Sequence, residues 1–426
     1  MSKRVLIVSP HFPPVNAPDM QRVRVSLPAF VEAGWDVTVL TVDDPTPSAP
    51  LEPELAASLP SAVHVVRAHC WSRRWTGRFG FNNVALRSLP FLFWRGCRLL
   101  RQKRYDVVYF STTMFVVLPL GRVWRRWFGV PYVIDLQDPW VSDYYERPGA
   151  PRPPGGWKFR FARALGLGLE GWTLRRAAEV IVVSASYADT LRARYADLRD
   201  TPFTELPFGS PDPDLALAGE RARTGPALLP RGGFRLGFAG ALGPGMFSSV
   251  ALLFAALAVL RREKIAVSVH FFGTSYSPHG EAQPATLALA AHYGVADLVH
   301  EQPARLRYLE ALQVTHEADA NLLFGSTDLA FTPSKILAVL AVDRPVLALA
   351  PTGSALVGRL AHFGETCVTF TGSTPDDAAI TATVDRLRQL MRGAVTRGAP
   401  ERLAAFSARS AAHRQMEILG RASELA

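Results

Sequence analysis

Cysteine is scarce in this sequence, with three residues among 426. Cys70, Cys97 and Cys367 are widely spaced and form no Cys-x-x-Cys pair, so they indicate neither a disulfide framework nor a zinc site and favour a reducing compartment. Several catalytic motifs are also missing: His-Glu-x-x-His, Gly-x-Ser-x-Gly, the Walker sequence and any metal-spaced set of histidines and carboxylates. We therefore predict chemistry that depends on no metal ion.

Long uninterrupted apolar runs are scarce too. The first run, Val5–Ser9, is too short for the apolar region of a signal peptide and is better interpreted as a buried strand. Leu236–Leu260 is uncharged and long enough to span a membrane, but glycines and Pro244 divide it into a strand, a loop and a helix. We predict no transmembrane segment and a cytoplasmic location.

Acidic residues are absent from Arg67 to Arg104, where ten Lys and Arg side chains equal the whole formal net charge of +10. Aromatic residues such as Trp71, Trp75 and Trp94 are interleaved with these cations. Cations mixed with aromatics favour an anionic membrane surface, to which each nearby Lys or Arg contributes about 1 kcal/mol. A solvated basic face is the second interpretation, and nucleic acid is a third that no recognisable module supports. We predict that residues 67–104 hold the protein at the inner membrane face and that it binds no nucleic acid.

The composition, 48% hydrophobic and 20% charged, is that of a globular protein, and the length suits two domains. Short apolar runs alternate with helical patterns in both halves, which is typical of parallel sheets covered on both faces. We predict an α/β first domain over residues 1–205, a Pro- and Gly-rich linker over 206–232, a second α/β domain over 233–400 and a closing helix over 401–426.

In open parallel sheets, ligands bind beyond the carboxyl ends of the strands. His11 follows the first predicted strand, and Asp138 and Trp140 follow a later strand of the same half. We predict that Asp138 lies in the cleft between the halves and that Trp140 offers a stacking surface for a sugar ring. Ordinary turn or cap residues, and a solvated or internally satisfied histidine, are the alternative interpretation.

Three segments of the second half occupy equivalent positions. Gly240 lies in a glycine-rich loop after the first strand, where backbone could approach a diphosphate, and Gly273 and Thr274 follow the next strand, where they could flank a nucleobase. Thr332–Lys335 is predicted to begin a helix, with Thr332 as N-cap, Pro333 at the first helical position, and Ser334 and Lys335 in the first turn. Free N–H groups and the Lys335 ammonium would suit a phosphate there. A simple turn or an ordinary cap is the alternative for each.

The order of these segments along the chain resembles a family 4 glycosyltransferase of the GT-B fold, in a subgroup with a Pro-Ser-Lys motif. The matching pieces are His11-Phe12-Pro13-Pro14, Gln21-Arg22-Val23-Arg24, Ala33 to Thr41, Asp135 to Trp140, Glu170 to Ser184, Leu206 to Gly209, Phe238-Ala239-Gly240, Pro333-Ser334-Lys335 and Arg344 to Leu347. The resemblance implies two Rossmann-like doubly wound domains facing a cleft, with the C-terminal helix closing back on the N-terminal domain.

The resemblance also implies a hexosyltransferase-type activity that moves a sugar from a nucleotide-diphosphate donor to a lipid-linked or polysaccharide acceptor in cell-surface glycan synthesis. The nucleotide-sugar would be a co-substrate, and no further cofactor is expected. Lys335, Ser334, Thr332 and Gly240 would bind the donor diphosphate, while Trp140 and Arg22 would contact the acceptor. Asp138 or His11 would act as general base if the reaction inverts the anomeric centre, whereas a retaining enzyme would need no such base.

Several positions depart from the family pattern. Two glutamates that usually lie eight positions apart are replaced by Ala330 and Ala338, and the loop Gly240–Ser249 lacks the cations that often neutralise the diphosphate. Asn16-Ala17 replaces a glycine pair, and Gln137 replaces an arginine. The two missing glutamates and the uncharged loop favour an alternative function, a non-catalytic GT-B protein that binds a partner enzyme or a glycan. An epimerase of the same fold is a further alternative.

Overall fold

We analysed a computed structural model of the chain. It describes residues 2–47, 49–79, 82–141, 156–275, 282–329, 331–372, 374–394 and 400–425. The chain divides into two compact units: the first comprises Met1–Gly209 with Ala408–Ala426, and the second comprises Ser210–Ser407.

The first unit is built on a parallel sheet whose strand order is β3-β2-β1-β4-β5-β6-β7. The strands are β1 (Arg4–Val8), β2 (Asp36–Val42), β3 (His64–Ala68), β4 (Val107–Ser111), β5 (Tyr132–Leu136), β6 (Glu179–Val182) and β7 (Phe203–Glu205). The order runs outward in both directions from β1 and β4, so the loops after these two central strands lie side by side at the carboxyl edge.

Helices cover this sheet. They are α1 (Gln21–Glu32), α2 (Pro53–Ala57), α3 (Arg73–Thr76), α4 (Val84–Gln102), α5 (Pro119–Phe128), α6 (Trp157–Leu174), α7 (Ala185–Arg194) and, from the end of the chain, α16 (Ala408–Ser423). Helices α4 to α7 contribute to one core with alternate residues of the strands, whereas α16 packs on α1 and against β4 and β5. The predicted return of the C-terminal helix to the N-terminal domain is confirmed.

The second unit has the same architecture, with the parallel strand order β10-β9-β8-β11-β12-β13. Its strands are β8 (Phe234–Ala239), β9 (Val267–Phe272), β10 (Val299–Gln302), β11 (Ala320–Phe324), β12 (Val346–Pro351) and β13 (Cys367–Phe370). Its helices are α8 (Asp212–Thr224), α9 (Phe247–Arg262), α10 (Leu287–His292), α11 (Tyr308–Glu317), α12 (Ile336–Ala341), α13 (Ala355–His362), α14 (Asp377–Met391) and α15 (Pro400–Ala404). The predicted pair of parallel-sheet α/β domains is confirmed.

Helix α9 explains the long apolar run in the sequence. Within the described residues, Pro244–Arg262 is the one helical segment long and apolar enough to cross a membrane. Its residues from Ser249 to Leu257 are buried in the core of the second unit, because α9 packs against α14 and β12. The segment is therefore accounted for as a core helix.

The domain boundary differs from the predicted one. The units change at Gly209–Ser210, and the predicted linker 206–232 contains α8, which packs against α11 and joins the apolar cluster of Leu215, Leu309 and Leu312. At the other end, α15 belongs to the second unit and α16 to the first. Proline and glycine at 207–213 mark the crossing of the chain, while the following Asp- and Ala-rich residues have enough helix propensity to fold against the second unit.

Candidate active site

The first unit brings together the loops that follow β1, β4 and β5. The loop after β1 carries His11 and folds back through Asp19, just before α1 begins. The loop after β4 carries Thr112 and Thr113, and the loop after β5 carries Gln137 and Asp138. Because β4 pairs with both β1 and β5, these side chains lie at one place on the carboxyl edge.

Asp19 is the centre of this group, although no motif or spacing in the sequence points to it. Its Oδ1 lies 2.9 Å from Nδ1 of His11, and its Oδ2 accepts hydrogen bonds from the Thr112 hydroxyl at 2.7 Å and the Thr113 amide at 3.3 Å. Gln137 donates through Nε2 to the Asp19 carbonyl at 2.8 Å. The carboxylate is buried, and protein donors hold it on three sides.

The pKa of Asp19 shows which charge state this arrangement stabilises. Burial alone would raise the pKa of the carboxyl, but the hydrogen bond and charge of His11, with the bonds from Thr112 and Thr113, lower it below its ordinary value. The contact with the ionised Asp19 orients the His11 ring, because Nδ1–H donates to the carboxylate. In the neutral imidazole this arrangement places the lone pair on Nε2, as in a His–Asp pair of acyl-transfer enzymes.

Asp138 and Trp140 lie beside this pair. Asp138 is exposed, and partial desolvation together with the negative charge of Asp19 raises the pKa of its carboxyl. Trp140 stacks on Phe115, with ring centroids 5.8 Å apart and planes 12° from parallel. One face of the indole is thus covered, and the half-buried ring is oriented by that stacking. The predicted roles of both residues stay predictions.

Arg22 has a different environment from the one predicted. Its guanidinium is buried, with Nη1 3.4 Å from Asp135 Oδ1 and Nη2 donating to the Leu206 carbonyl at 2.8 Å, and it lies over the ring of Phe208. Arg22 lies in the first turn of α1, close to the end of β5, where its guanidinium offsets the cost of burying the Asp135 side chain. Arg22 thus connects α1, β5 and the chain at 206–208, and its predicted contact with the acceptor stays a prediction.

In the second unit, the loops after β8, β9 and β11 converge in the same way. The Thr327 amide donates to the Gly245 carbonyl at 2.9 Å, and the Leu242 amide donates to the Thr274 carbonyl at 3.0 Å. Gly245 is required at the first contact, because a Cβ there would come within 2.4 Å of the Ser326 hydroxyl. The glycine-rich loop is therefore held on both sides.

Lys335 is the cation at this edge. Its Nζ donates to the Ala239 carbonyl at 3.0 Å and lies 3.1 Å from the ring centroid of Phe238. A Cβ on Gly240 would be 3.2 Å from the same nitrogen, and Gly240 has a φ of 146°. The ammonium thus lies against the loop that lacks the family's usual cations. The loop Gly240–Ser249 contains no Lys or Arg of its own, and Lys335, from the chain after β11, supplies a cation beside it.

Burial lowers the pKa of Lys335 well below its ordinary value. The side chain is partly exposed as a whole, but its ammonium is surrounded by protein. Its hydrogen bond and ring contact are both to uncharged groups, and the described residues provide no salt bridge to it. A buried ammonium without a counter-ion is costly, so an anion at this position would be strongly stabilised.

The helix predicted to begin at Thr332 begins later. Helix α12 starts at Ile336 with Lys335 at the N-cap position, and no side chain caps it. Pro333 forms a turn with Ile336, and Ser334 is exposed on that turn. The predicted helix start with Thr332 as N-cap is therefore wrong, because the fixed φ of Pro333 serves a turn here, whereas phosphate binding by Thr332, Ser334 and Lys335 stays a prediction. The ammonium of Lys335, rather than helix N–H groups, carries the positive charge.

Gly273 and Thr274 lie next to the glycine-rich loop, as predicted, but Thr274 is internal. Its buried hydroxyl donates to Glu301, whose carboxylate also accepts bonds from the Ala285 and Thr286 amides. These bonds lower the pKa of Glu301 even though burial opposes the shift. Thr274 thus holds the loop in place through its hydroxyl and its carbonyl, while Gly273, with a φ of 68°, allows the turn; the predicted position of both beside a nucleobase stays a prediction.

Ala330 and Ala338 occupy the positions where the resemblance predicts glutamates. Ala330 lies outside the described residues. Ala338 packs against the apolar cluster of Leu215, Leu309 and Leu312 on α8 and α11, so a longer acidic side chain at this position would meet apolar atoms. In the part of the chain that the structure describes, no group of three His, Cys, Asp or Glu side chains is arranged to hold a metal ion.

Solved structures show what fold this is. The chain is similar to sucrose-phosphate synthase from Thermosynechococcus elongatus, with a TM-score of 0.60, 17% identity and 98% coverage of both chains. It is similar to the UDP-forming trehalose-phosphate synthase from Burkholderia xenovorans in complex with glucose-6-phosphate, with a TM-score of 0.60, 11% identity and coverage of 98% and 100%. The catalytic domain of starch synthase IV from Arabidopsis thaliana, bound to ADP and acarbose, gives a TM-score of 0.57 and 13% identity, with 99% of both chains covered. The chain has the GT-B fold of these glycosyltransferases, as predicted.

Residues 21–209 match the family described as the glycosyl transferase 4-like domain. The matched segment begins with α1 and ends where the first unit passes into the second. Comparison with curated protein sequences gave no match.

Proposed function

We propose that this protein transfers a sugar from a nucleotide-diphosphate sugar to a hydroxyl acceptor, with the donor bound by the second unit and the acceptor by the first. The observation that carries the proposal is the Lys335 ammonium, buried beside Gly240 at the carboxyl end of β8 without a salt bridge among the described residues. A diphosphate would supply the missing counter-charge and would leave more easily beside a fixed cation. The match of residues 21–209 to a glycosyltransferase domain supports the same class.

The His11–Asp19 pair suits the acceptor side of this reaction. We assign the acceptor hydroxyl proton to Nε2 of His11, with Asp19 as a positioning residue that stabilises the imidazolium. The hydroxyl oxygen forms a bond to the anomeric carbon, the bond from that carbon to the diphosphate oxygen breaks, and its electron pair leaves with the nucleoside diphosphate. Direct displacement of this kind inverts the anomeric centre. A product of retained configuration, determined by NMR, would remove His11 as the base but leave the donor site unaffected.

The finer assignment is a metal-independent hexosyltransferase in the Pro-Ser-Lys subgroup. It acts on a lipid-linked or polysaccharide acceptor in cell-surface glycan synthesis, in the cytoplasm at the inner membrane face. The interleaved cations and aromatics of residues 67–104 support the membrane location, and the half-buried Trp140 supports a sugar-bearing acceptor. Retention of activity in excess EDTA tests the metal independence.

The donor site is tested by nucleotide binding to Lys335→Met and to a matched control, Lys264→Met, which changes an exposed lysine of the same unit. Nucleoside diphosphates and their sugars should raise the melting temperature of the wild type and of the control. The Lys335→Met protein should bind them about 10- to 100-fold more weakly, because a hydrogen bond to a charged group is lost. Equal binding by the two variants would refute the assignment.

A non-catalytic GT-B protein is the second candidate, favoured by the apolar packing of Ala338 where the family carries an acid. Such a protein would show neither sugar transfer nor hydrolysis of any nucleotide-sugar in a donor panel. Stabilisation by a nucleoside diphosphate without turnover would place it in this class and would retain the Lys335 site as a binding site only.

A further inference from the structure

Helices α4, α5 and α6 of the first unit expose an unusual number of large apolar side chains. The exposed fractions are 64% for Trp94, 55% for Trp127, 65% for Phe161, 52% for Leu165 and 37% for Trp172. On α6, Phe161, Leu165 and Trp172 follow a spacing of four and seven residues, so they form one stripe along the helix. Apolar side chains concentrated in this way usually mark an interaction site.

Ring contacts join several of these residues across neighbouring helices. Phe93 of α4 meets both Trp94, at 5.1 Å between ring centroids, and Trp127 of α5, at 5.4 Å. Arg122 of α5 lies over the ring of Trp172 of α6, at 4.3 Å from its centroid. We call this region the α4–α6 surface. It comprises the five exposed apolar residues above and the exposed arginines of the same helices.

The charge on the α4–α6 surface has a single sign. The exposed arginines are Arg95, Arg98, Arg101, Arg126 and Arg160. The sequences of α4 and α5 contain no acidic residue, and the single acid of α6, Glu170, is buried against Arg194 and Tyr195. The surface therefore presents cations and indoles without an exposed carboxylate on these helices.

The surface also continues towards the candidate site. Trp71, exposed by 44%, meets Phe91 near the start of α4, with ring centroids 5.4 Å apart. That end of α4 is at the carboxyl edge of the sheet, because Arg87 pairs there with Asp44, just after β2. Arg67 donates to the Pro13 carbonyl in the loop that carries His11, at 2.7 Å. Arg87 is thus an internal member of the basic segment, whereas Arg67 is exposed although it donates to the Pro13 carbonyl.

We propose that the α4–α6 surface binds the anionic headgroups and interface of a lipid bilayer. Tryptophan prefers the boundary between headgroups and acyl chains, and arginine is attracted by anionic lipid, so the two residue types together match this partner. The inference deepens the membrane location of the proposed function and is independent of sugar transfer. It also extends the membrane-binding region from residues 67–104, which include α4, to α5 and α6.

The first experiment is flotation of the full chain with vesicles of 70% phosphatidylcholine and 30% phosphatidylglycerol, and with pure phosphatidylcholine. The wild type should float with the anionic vesicles and less with the neutral ones, and added salt should weaken its binding. Arg95→Gln combined with Arg126→Gln should reduce binding on the order of 30-fold. The matched control, Arg392→Gln with Arg414→Gln, removes the same charge from exposed positions on α14's end and on α16 and should bind like the wild type.

The second experiment tests the apolar residues. Trp127→Ser with Phe161→Ser should lose binding to the anionic vesicles, whereas Leu217→Ser with Leu287→Ser, exposed residues of the second unit, should not. Absence of vesicle binding, equal binding to neutral vesicles, or equal losses in surface and control variants would overturn the inference, and an acidic protein partner would then fit the surface better. Nucleotide-induced shifts in melting temperature, measured on every variant, test the donor site and the folded state separately.

Discussion

The most informative residue is Asp19, because its carboxylate contacts His11 and orients the imidazole ring. Its carboxylate accepts bonds from His11, Thr112 and Thr113, and the Gln137 amide fixes its backbone. Sequence reasoning selected His11 alone, since an acid eight residues further along a loop carries no periodic signal. The loop had to be seen folding back on itself before the pair became apparent.

We expect Asp19→Asn to lower the free energy of unfolding by about 1–3 kcal/mol at pH 7, because a buried charged hydrogen bond is weakened. The folded-state pKa of Asp19 is depressed, so its contribution is complete above the ordinary pKa and is lost as the pH falls below about 4. Urea unfolding from pH 7 to pH 3 should therefore show the two proteins converging. Asp189→Asn, at an exposed position of α7, is the control, and its free energy of unfolding should follow that of the wild type from pH 7 to pH 3.

Lys335 makes a prediction about protons. Its pKa is lowered by burial, and a bound diphosphate would raise that pKa towards the ordinary value. Binding of a nucleoside diphosphate at mildly alkaline pH should therefore take up protons, which calorimetry in buffers of different ionisation enthalpy measures. The uptake should disappear in Lys335→Met. Uptake of the same size in that variant would assign the proton to another group.

At the scale of elements, strands in the middle of each sheet were predictable and strands at the edges were not. In the sequence, Phe234–Ala239, Val267–Phe272 and Ala320–Phe324 are strand-like runs with the same bounds as β8, β9 and β11, because central parallel strands are apolar on both faces. β3, β7 and β13 were missed. They are edge strands, half-buried and mixed with polar residues, so they lack a continuous apolar run.

The candidate site in the second unit was also only partly predictable from the sequence. Proximity of Gly240 and Gly273 followed from strand order, whereas Lys335 reaching back to Ala239 depended on a turn at Pro333 where a helix was expected. Local sequence permitted both structures, and packing of α12 on α8 decided between them.

Helix α12 also determines the effect of placing a glutamate at position 338, where the glycosyltransferases that the sequence resembles usually carry one. Ala338→Glu should lower the free energy of unfolding by about 1–3 kcal/mol, since a carboxylate would enter the apolar cluster with Leu309 and Leu312. Ala341→Glu places the same residue at an exposed position of the same helix and should be nearly neutral. Chemical denaturation compares the two. A stable and more active Ala338→Glu protein would mean that the cluster admits the family's acid after all.

At the scale of the whole molecule, the second unit is an insertion between the body of the first unit and its last helix. Helix α16 completes the first unit with Met416, Ile418 and Leu419 buried against it. We expect Leu419→Ala to cost about 2–5 kcal/mol and to lower one calorimetric transition, that of the first unit. Leu425→Ala, at an exposed position, is the control and should leave both transition temperatures unchanged. A nucleoside diphosphate should raise the transition temperature of the second unit. A single transition that responds to both treatments would contradict independent units.

The insertion also begins and ends at one place. Ser210 and Ser407 form an isolated bridge, and the Ser210 amide donates to the Phe406 carbonyl at 2.7 Å. Excising residues 210–407 therefore leaves two adjacent ends that a short peptide can join at little entropic cost. The same property would let recombination replace residues 210–407 by another domain at the same two junctions. On the proposed function, such an exchange would change the donor specificity during evolution and leave the acceptor specificity of the first unit unchanged.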